Sequence, residues 1–342
     1  MLVACTIPLP MPGFLSEPRQ QAVVLLFLGG LGLLVSVMLG ARAIHFEQDT
    51  TPTRRIFAHW LPIVAAVLFA TILGYGEMAV AMIFGTSVAL LSVVSGFVVM
   101  AGPLMDIPNQ PRRLWPFLPV LATLIFVLGL RGTLGIFEVT ALIIQGLLLF
   151  LLWGSATQSS SEPSLLNPTG ALQIVGLIAA MALAAVGAWA ATRGAQALSQ
   201  IDIRYPGSVI AATLLSIALA LPMVSSGVQT ASEGRTAIPI GAQVGVVMLN
   251  FTVLLPATIL LRMFIKTVTR PTTSPTSNMA IEPFLYPRLS WRIDAVALLI
   301  LSLLLVPIAE GKFRLDRRLG GWLIFAYCVY LMTTLLVGAG AA

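Results

Sequence analysis

The sequence predicts an all-α integral membrane protein of ten transmembrane helices arranged as two inverted five-helix repeats, and three observations predict it. Hydrophobic residues make up 58% of the chain and charged ones only 9%, with a mean hydropathy of +0.97 over 342 residues. Apolar runs of about 20 residues, the length at which a helix crosses ~30 Å of hydrocarbon, succeed one another with short polar breaks between them. The run around Pro62 also has a counterpart around Pro222, each inside a half that holds an odd number of runs. An odd number per half forces the second copy to lie upside down in the membrane relative to the first.

The first run, Ala22 to Ile44, follows a proline-rich lead-in, "IPLPMPGFLSEPRQ", that cannot continue a helix. The next four are Ile56 to Leu73, Met78 to Ala101, Trp115 to Leu130 and Gly135 to Trp153. The polar stretch "GSATQSSSEPSLLNP", residues 154–168, then closes a first five-helix unit, residues 1–153. Residues 169–342 form the second unit, with runs Thr169 to Ala191, Ser208 to Val228, Ile238 to Phe264, Ala295 to Ile308 and Leu319 to Gly340. A Thr-, Ser- and Pro-rich connection precedes the ninth run. No stretch is left over for a soluble domain, so the two units make one membrane domain.

The formal charge of +6 comes from basic residues scattered among loop ends, which is interfacial anchoring and not a nucleic-acid surface. Nine Lys and Arg fall on one side of the predicted membrane and ten on the other, so the charge rule does not set an orientation. Cys5 and Cys328 have neither disulfide nor metal-site spacing. No nucleophile and base, phosphate loop or metal cluster is present, so neither an enzyme nor a cofactor is expected. The expected surroundings are the lipid bilayer, of a bacterial inner membrane.

Aligned at a constant offset of 160, residues 58–93 and 218–253 share seven identities in 36 positions. Each copy has a mid-run proline, Pro62 or Pro222, a glycine twelve residues on, Gly74 or Gly234, and another 23 residues after the proline, Gly85 or Gly245. The flanks agree: "PRRLWPFLPVLATLI" before the fourth run matches "PRLSWRIDAVALLIL" before the ninth. In lipid each proline frees a carbonyl one turn back, so both helices are predicted to bend or break there and to offer that oxygen to an ion. Gly85, Gly241 and Gly245 let helix backbones approach closely. Thr86, Ser87, Ser225, Ser226 and Asn250 gather around the same place as a predicted ion pathway. His59 and Trp60 read as a packing pair. None of the thirteen acidic residues maps to mid-membrane.

Leu-Pro, a charged turn, G-x-x-x-G and an Asn five positions after the second Gly resemble the repeats of the sodium/calcium (cation/calcium) exchanger superfamily, in segments two and three and again in seven and eight. The resemblance implies alternating access around a site between those four segments. It also marks departures. Where the family carries an ion-binding Glu after each proline, this chain has Ile63 and Met223, and the family's Asn positions become Met82, Ser87, Leu90, Ala242 and Val247. A dehydrated divalent cation wants six to eight oxygens with carboxylates among them. The expectation is therefore a cation transporter with an altered ion site. The alternative is a non-transporting exchanger-like protein, a structural or regulatory subunit with a protein partner.

Overall fold

The computed structural model describes residues 17–45, 52–102, 116–157, 169–201, 206–234, 236–268, 283–309 and 316–340. With no water in hydrocarbon to satisfy backbone groups, a chain this apolar must close its hydrogen bonds inside helices, and the described residues do so. Among the described residues, seven helices are long and apolar enough to cross a membrane, and there are three shorter apolar ones. They are α1 (Pro18–His45), α2 (Pro52–Ile72), α3 (Gly76–Ala101), α4 (Phe117–Arg131), α5 (Ile136–Thr157), α6 (Thr169–Ile201), α7 (Gly207–Ser232), α8 (Ile238–Val268), α9 (Arg288–Ala309) and α10 (Arg317–Gly340). The shorter apolar stretches lie in α2, α4 and α5. Most of the 154–168 break falls outside the described residues.

Burial sorts the rods. In α3, 89% of the span is buried, and in α7 and α8 72%, against 28% in α1 and α10. A helix apolar all round and also covered all round belongs at the centre of a bundle; one apolar but bare faces lipid. The centre is therefore α3, α7 and α8. Phe84 of α3 meets Phe251 of α8 at 5.1 Å and Trp291 of α9 at 4.8 Å between ring centroids, both edge-to-face. The Trp291 indole donates to the Ile125 carbonyl at 3.0 Å and joins α9 to α4.

Small residues set the closest approaches. On α1 and α6, Gly32 and Gly187 face each other, and a Cβ on Gly32 would lie 3.2 Å from the Gly187 Cα. In the centre a Cβ on Gly85 would overlap the Ala212 carbonyl oxygen and the Ser216 hydroxyl of α7. The close packing predicted for Gly85 is thus a contact with α7. Gly245 is buried and Gly241 half-buried.

The prolines do not break their helices. Both α2 and α7 are assigned as helix straight through Pro62 and Pro222. The helical irregularities are π-turns elsewhere: Leu90–Val94 in α3, Ala211–Leu215 in α7 and Asn250–Leu254 in α8. A π-turn adds one residue to a turn and leaves a carbonyl short of its usual partner. Ser95 and Ser216 follow two of these turns, and each hydroxyl reaches the carbonyl five residues back, Leu90 at 3.0 Å and Ala211 at 2.9 Å. Two π-turns, 90–94 and 250–254, stand 160 residues apart, the offset of the sequence repeat. So do Gly74 and Gly234, which end α2 and α7 at φ +95° and +81°, a conformation that only glycine adopts freely.

Two short strands, β1 (Thr133–Leu134) and β2 (Phe284–Leu285), pair antiparallel as Thr133 with Leu285 and Leu134 with Phe284. They clasp the α4–α5 connection to the segment before α9, and the Tyr286 amide donates to the Gly132 carbonyl at 3.3 Å. The ninth helix starts at Arg288, not at Ala295 as the apolar run suggests.

Replacing Gly85 by Val is expected to destabilise the protein by about 1 to 3 kcal/mol, because backbone cannot yield as a side-chain tip can. Gly30→Ala, which meets nothing within 4 Å, is expected to change little. Thermal unfolding of the two variants in one detergent checks both.

Candidate functional site

The polar side chains of the centre form two groups where α2, α3, α7 and α8 meet. The first is a chain of hydrogen bonds. Trp60 of α2 donates from Nε1 to Asn250 Oδ1 of α8 at 3.1 Å, and Asn250 Nδ2 donates to Ser87 Oγ of α3 at 3.1 Å. Ser87 Oγ in turn donates to the Ile83 carbonyl at 2.7 Å. An indole N–H only donates, so it fixes which end of the amide faces it. Asn250 sits at the first position of its π-turn and Ser87 is wholly buried.

The second group lies around Gln243, about two turns before Asn250 on α8. Ser95 Oγ is 2.6 Å from Gln243 Oε1 and 3.0 Å from the Leu90 carbonyl, yet a hydroxyl has one proton to give. With that proton on Gln243 Oε1 at the shorter distance, the amide oxygen is held by Ser95 and the amide nitrogen points to the other side. There the nitrogen has no partner, near Gly227. A cavity of about 30 Å³ opens there, walled by His59, Met223, Ser226, Gly227, Thr230 and Gln243 among others. A space this size holds a water molecule or a bare small ion. The hydroxyls of Ser226 and Thr230 point at carbonyls of their own helix, Met223 at 3.4 Å and Ser226 at 2.9 Å. Their lone pairs remain available.

The structure separates the residues that the sequence grouped. Ser226 reaches the cavity; Thr86, Ser87 and Asn250 do not, being fully buried in packing. Thr86 Oγ1 has no hydrogen-bond partner. Ser225 is exposed and bonds back to the Pro222 carbonyl at 2.9 Å. Pro62 and Pro222 are buried. Ile63 is completely covered and Met223 is 3% exposed, so the positions after the prolines are filled by apolar side chains. Two members were missed: Trp60, taken as packing, and Gln243, whose signal was a lone amide inside an apolar run. His59 stands on the cavity wall.

The carboxylate map also needs one correction. Glu77 and Glu233 are exposed at turns, and Glu138 is half-buried at the start of α5, accepting from the Gly135 amide at 2.8 Å. Asp294, however, is 2% exposed, lies inside α9 and is not among the residues that wall the cavity. Among the described residues no three His, Cys, Asp or Glu side chains come together as a metal site.

Apolar rods packed round a polar seam define a helical membrane protein. Residues 172–336 match the family model described as sodium/calcium exchanger protein. The fold superimposes on the sodium-calcium exchanger NCX_Mj soaked with sodium and strontium over 92% of this chain and 98% of that one, at a TM-score of 0.61 and 16% identity. It superimposes on the H+/Ca2+ exchanger CAX over 94% of this chain and 85% of that one, at a TM-score of 0.69 and 14% identity. No curated protein matches the sequence. The second half of the chain thus carries the pattern of that family model, and nearly all of the chain shares the fold of these two exchangers.

Asn250→Ala removes two bonds between helices, each worth ~0.6 to 2 kcal/mol in a membrane. A loss of that order in denaturation midpoint is expected. Adding Trp60→Phe should cost little more, because the partner is already gone.

Proposed function

We propose that the protein is a secondary transporter that moves a small cation by alternating access, with an ion site rebuilt without carboxylates, and that units 1–153 and 169–342 are the inverted halves that move against each other. The observation that supports it is the polar cavity beside Gln243 and Ser226, between the helices that carry the two repeat prolines. Its oxygens are neutral, the hydroxyls of Ser226 and Thr230. Neutral oxygens in a space that admits one ion suit a monovalent cation. They fall short of the six to eight ligands, carboxylates included, that calcium needs once its water is removed. Ile63 and Met223, where the family pattern has glutamates, point the same way.

A second reading has its own support. The chain Trp60, Asn250, Ser87 satisfies every polar group it contains and ties α2, α3 and α8 together in one state. A centre fastened in this way suits an exchanger-like protein that no longer transports and serves as a subunit.

Flux into reconstituted vesicles under sodium, potassium, calcium and proton gradients separates the two. The transporter reading expects flux of a monovalent cation, reduced at least tenfold by Ser226→Leu, which fills the cavity. Flux unchanged in that variant removes the site, and silence under every gradient leaves the subunit. Placing Glu at positions 63 and 223 together is expected to create calcium binding that the unaltered chain lacks, read by radiolabelled calcium retained on the purified protein.

A further inference from the structure

Asp294 is the one carboxylate among the buried described residues, and neither the cavity nor the exchanger pattern uses it. It lies about 9 Å along the axis from the start of α9, six residues at 1.5 Å each. Each of its oxygens meets a tyrosine: Tyr330 of α10 donates to Oδ1 at 2.9 Å, and Tyr286, between β2 and α9, donates to Oδ2 at 3.3 Å. The fold does not call for an acid here. Aligned on the Pro-Arg and Trp of the two flanks, the matching residue of the first half is Leu118, equally buried in α4.

The groups around it are uncharged or distant. From α10 come the phenols of Tyr330 and Tyr327, from the β2–α9 turn that of Tyr286, and from α3 only Glu77, exposed at the helix start. Arg288 and Arg292, on α9 itself, are exposed, and the described face of α4 is apolar. Burial, with Asp294 adding to it, raises the Tyr286 phenol well above its ordinary value, so that hydroxyl keeps its proton. A buried carboxylate without a cation is costly, and the usual relief is to take up a proton.

We propose that Asp294 is a proton-exchanging site, a carboxyl that binds and releases a proton inside the span of α9 with Tyr286 and Tyr330 as partners in both states. Tyrosine hydroxyls both donate and accept. Ionised, Asp294 accepts from both; protonated, its O–H donates to one phenol oxygen while that phenol's hydrogen turns away. The proton comes from and returns to water. Charge-assisted bonds are about twice as strong as neutral ones. Proton loss therefore tightens the ties from α9 to α10 and, through Tyr286, to the β1–β2 clasp.

Infrared difference spectra of the purified protein in lipid nanodiscs, taken from about pH 5 to about pH 9 to bracket perturbed carboxyls, test this without any transported ion. A carboxylic-acid carbonyl band that fades as pH rises is expected, absent in Asp294→Asn, which keeps an acceptor for Tyr330. Tyr330→Phe, which removes one donor, should displace the pH of fading and serves if the Asn variant fails to fold. Spectra in which Asp294→Asn titrates as the unaltered protein does, or in which Tyr330→Phe leaves the fading in place, overturn the proposal.

Discussion

A polar side chain at the centre of a membrane bundle must find its partners inside the protein, because neither lipid nor bulk water supplies them. In this chain Asn250 meets that constraint by reaching across two helices at once. Its oxygen takes the Trp60 indole of α2 and its nitrogen gives to Ser87 of α3, so three rods that carry the exchanger pattern are joined through one amide. The rest of the centre follows. Ile63 and Met223 pack behind the two prolines, Gly85 lets α3 press on α7, and a small cavity remains beside Gln243.

The spacing of 160 residues links sequence to shape. It appears first as shared identities and returns as backbone geometry: two glycines at positive φ and two π-turns, none of which the apolar composition by itself would produce. A π-turn rotates the following helix by roughly one residue's worth of angle. In α8 it begins at Asn250, so the turn also aims the amide.

The parts legible in the sequence were those governed by local pattern. Apolar runs give the rods, Gly74 and Gly234 give the turns, and Gly85 gives a close approach. What escaped depends on contacts between distant residues. Trp60 finds Asn250 across 190 positions, and nothing near either residue announces it. Asp294 was assigned to a loop because the apolar run begins just after it, whereas the helix begins at Arg288 and hides the carboxylate between two tyrosines. Pro62 and Pro222 were expected to bend or break their helices; neither helix is broken, and π-turns lie elsewhere, two of them followed by a serine whose hydroxyl reaches the carbonyl five residues back.

The central claim is that an amide, an indole and a hydroxyl close the middle of this exchanger fold in place of an ion held by carboxylates. The indole N–H resonance of Trp60 reports on it directly, assigned by its loss in Trp60→Phe and followed by nuclear magnetic resonance while calcium or sodium is added. The account predicts a slowly exchanging proton whose position is indifferent to calcium. A saturable shift on adding calcium would show that the Asn250 oxygen serves an ion instead, and would contradict it.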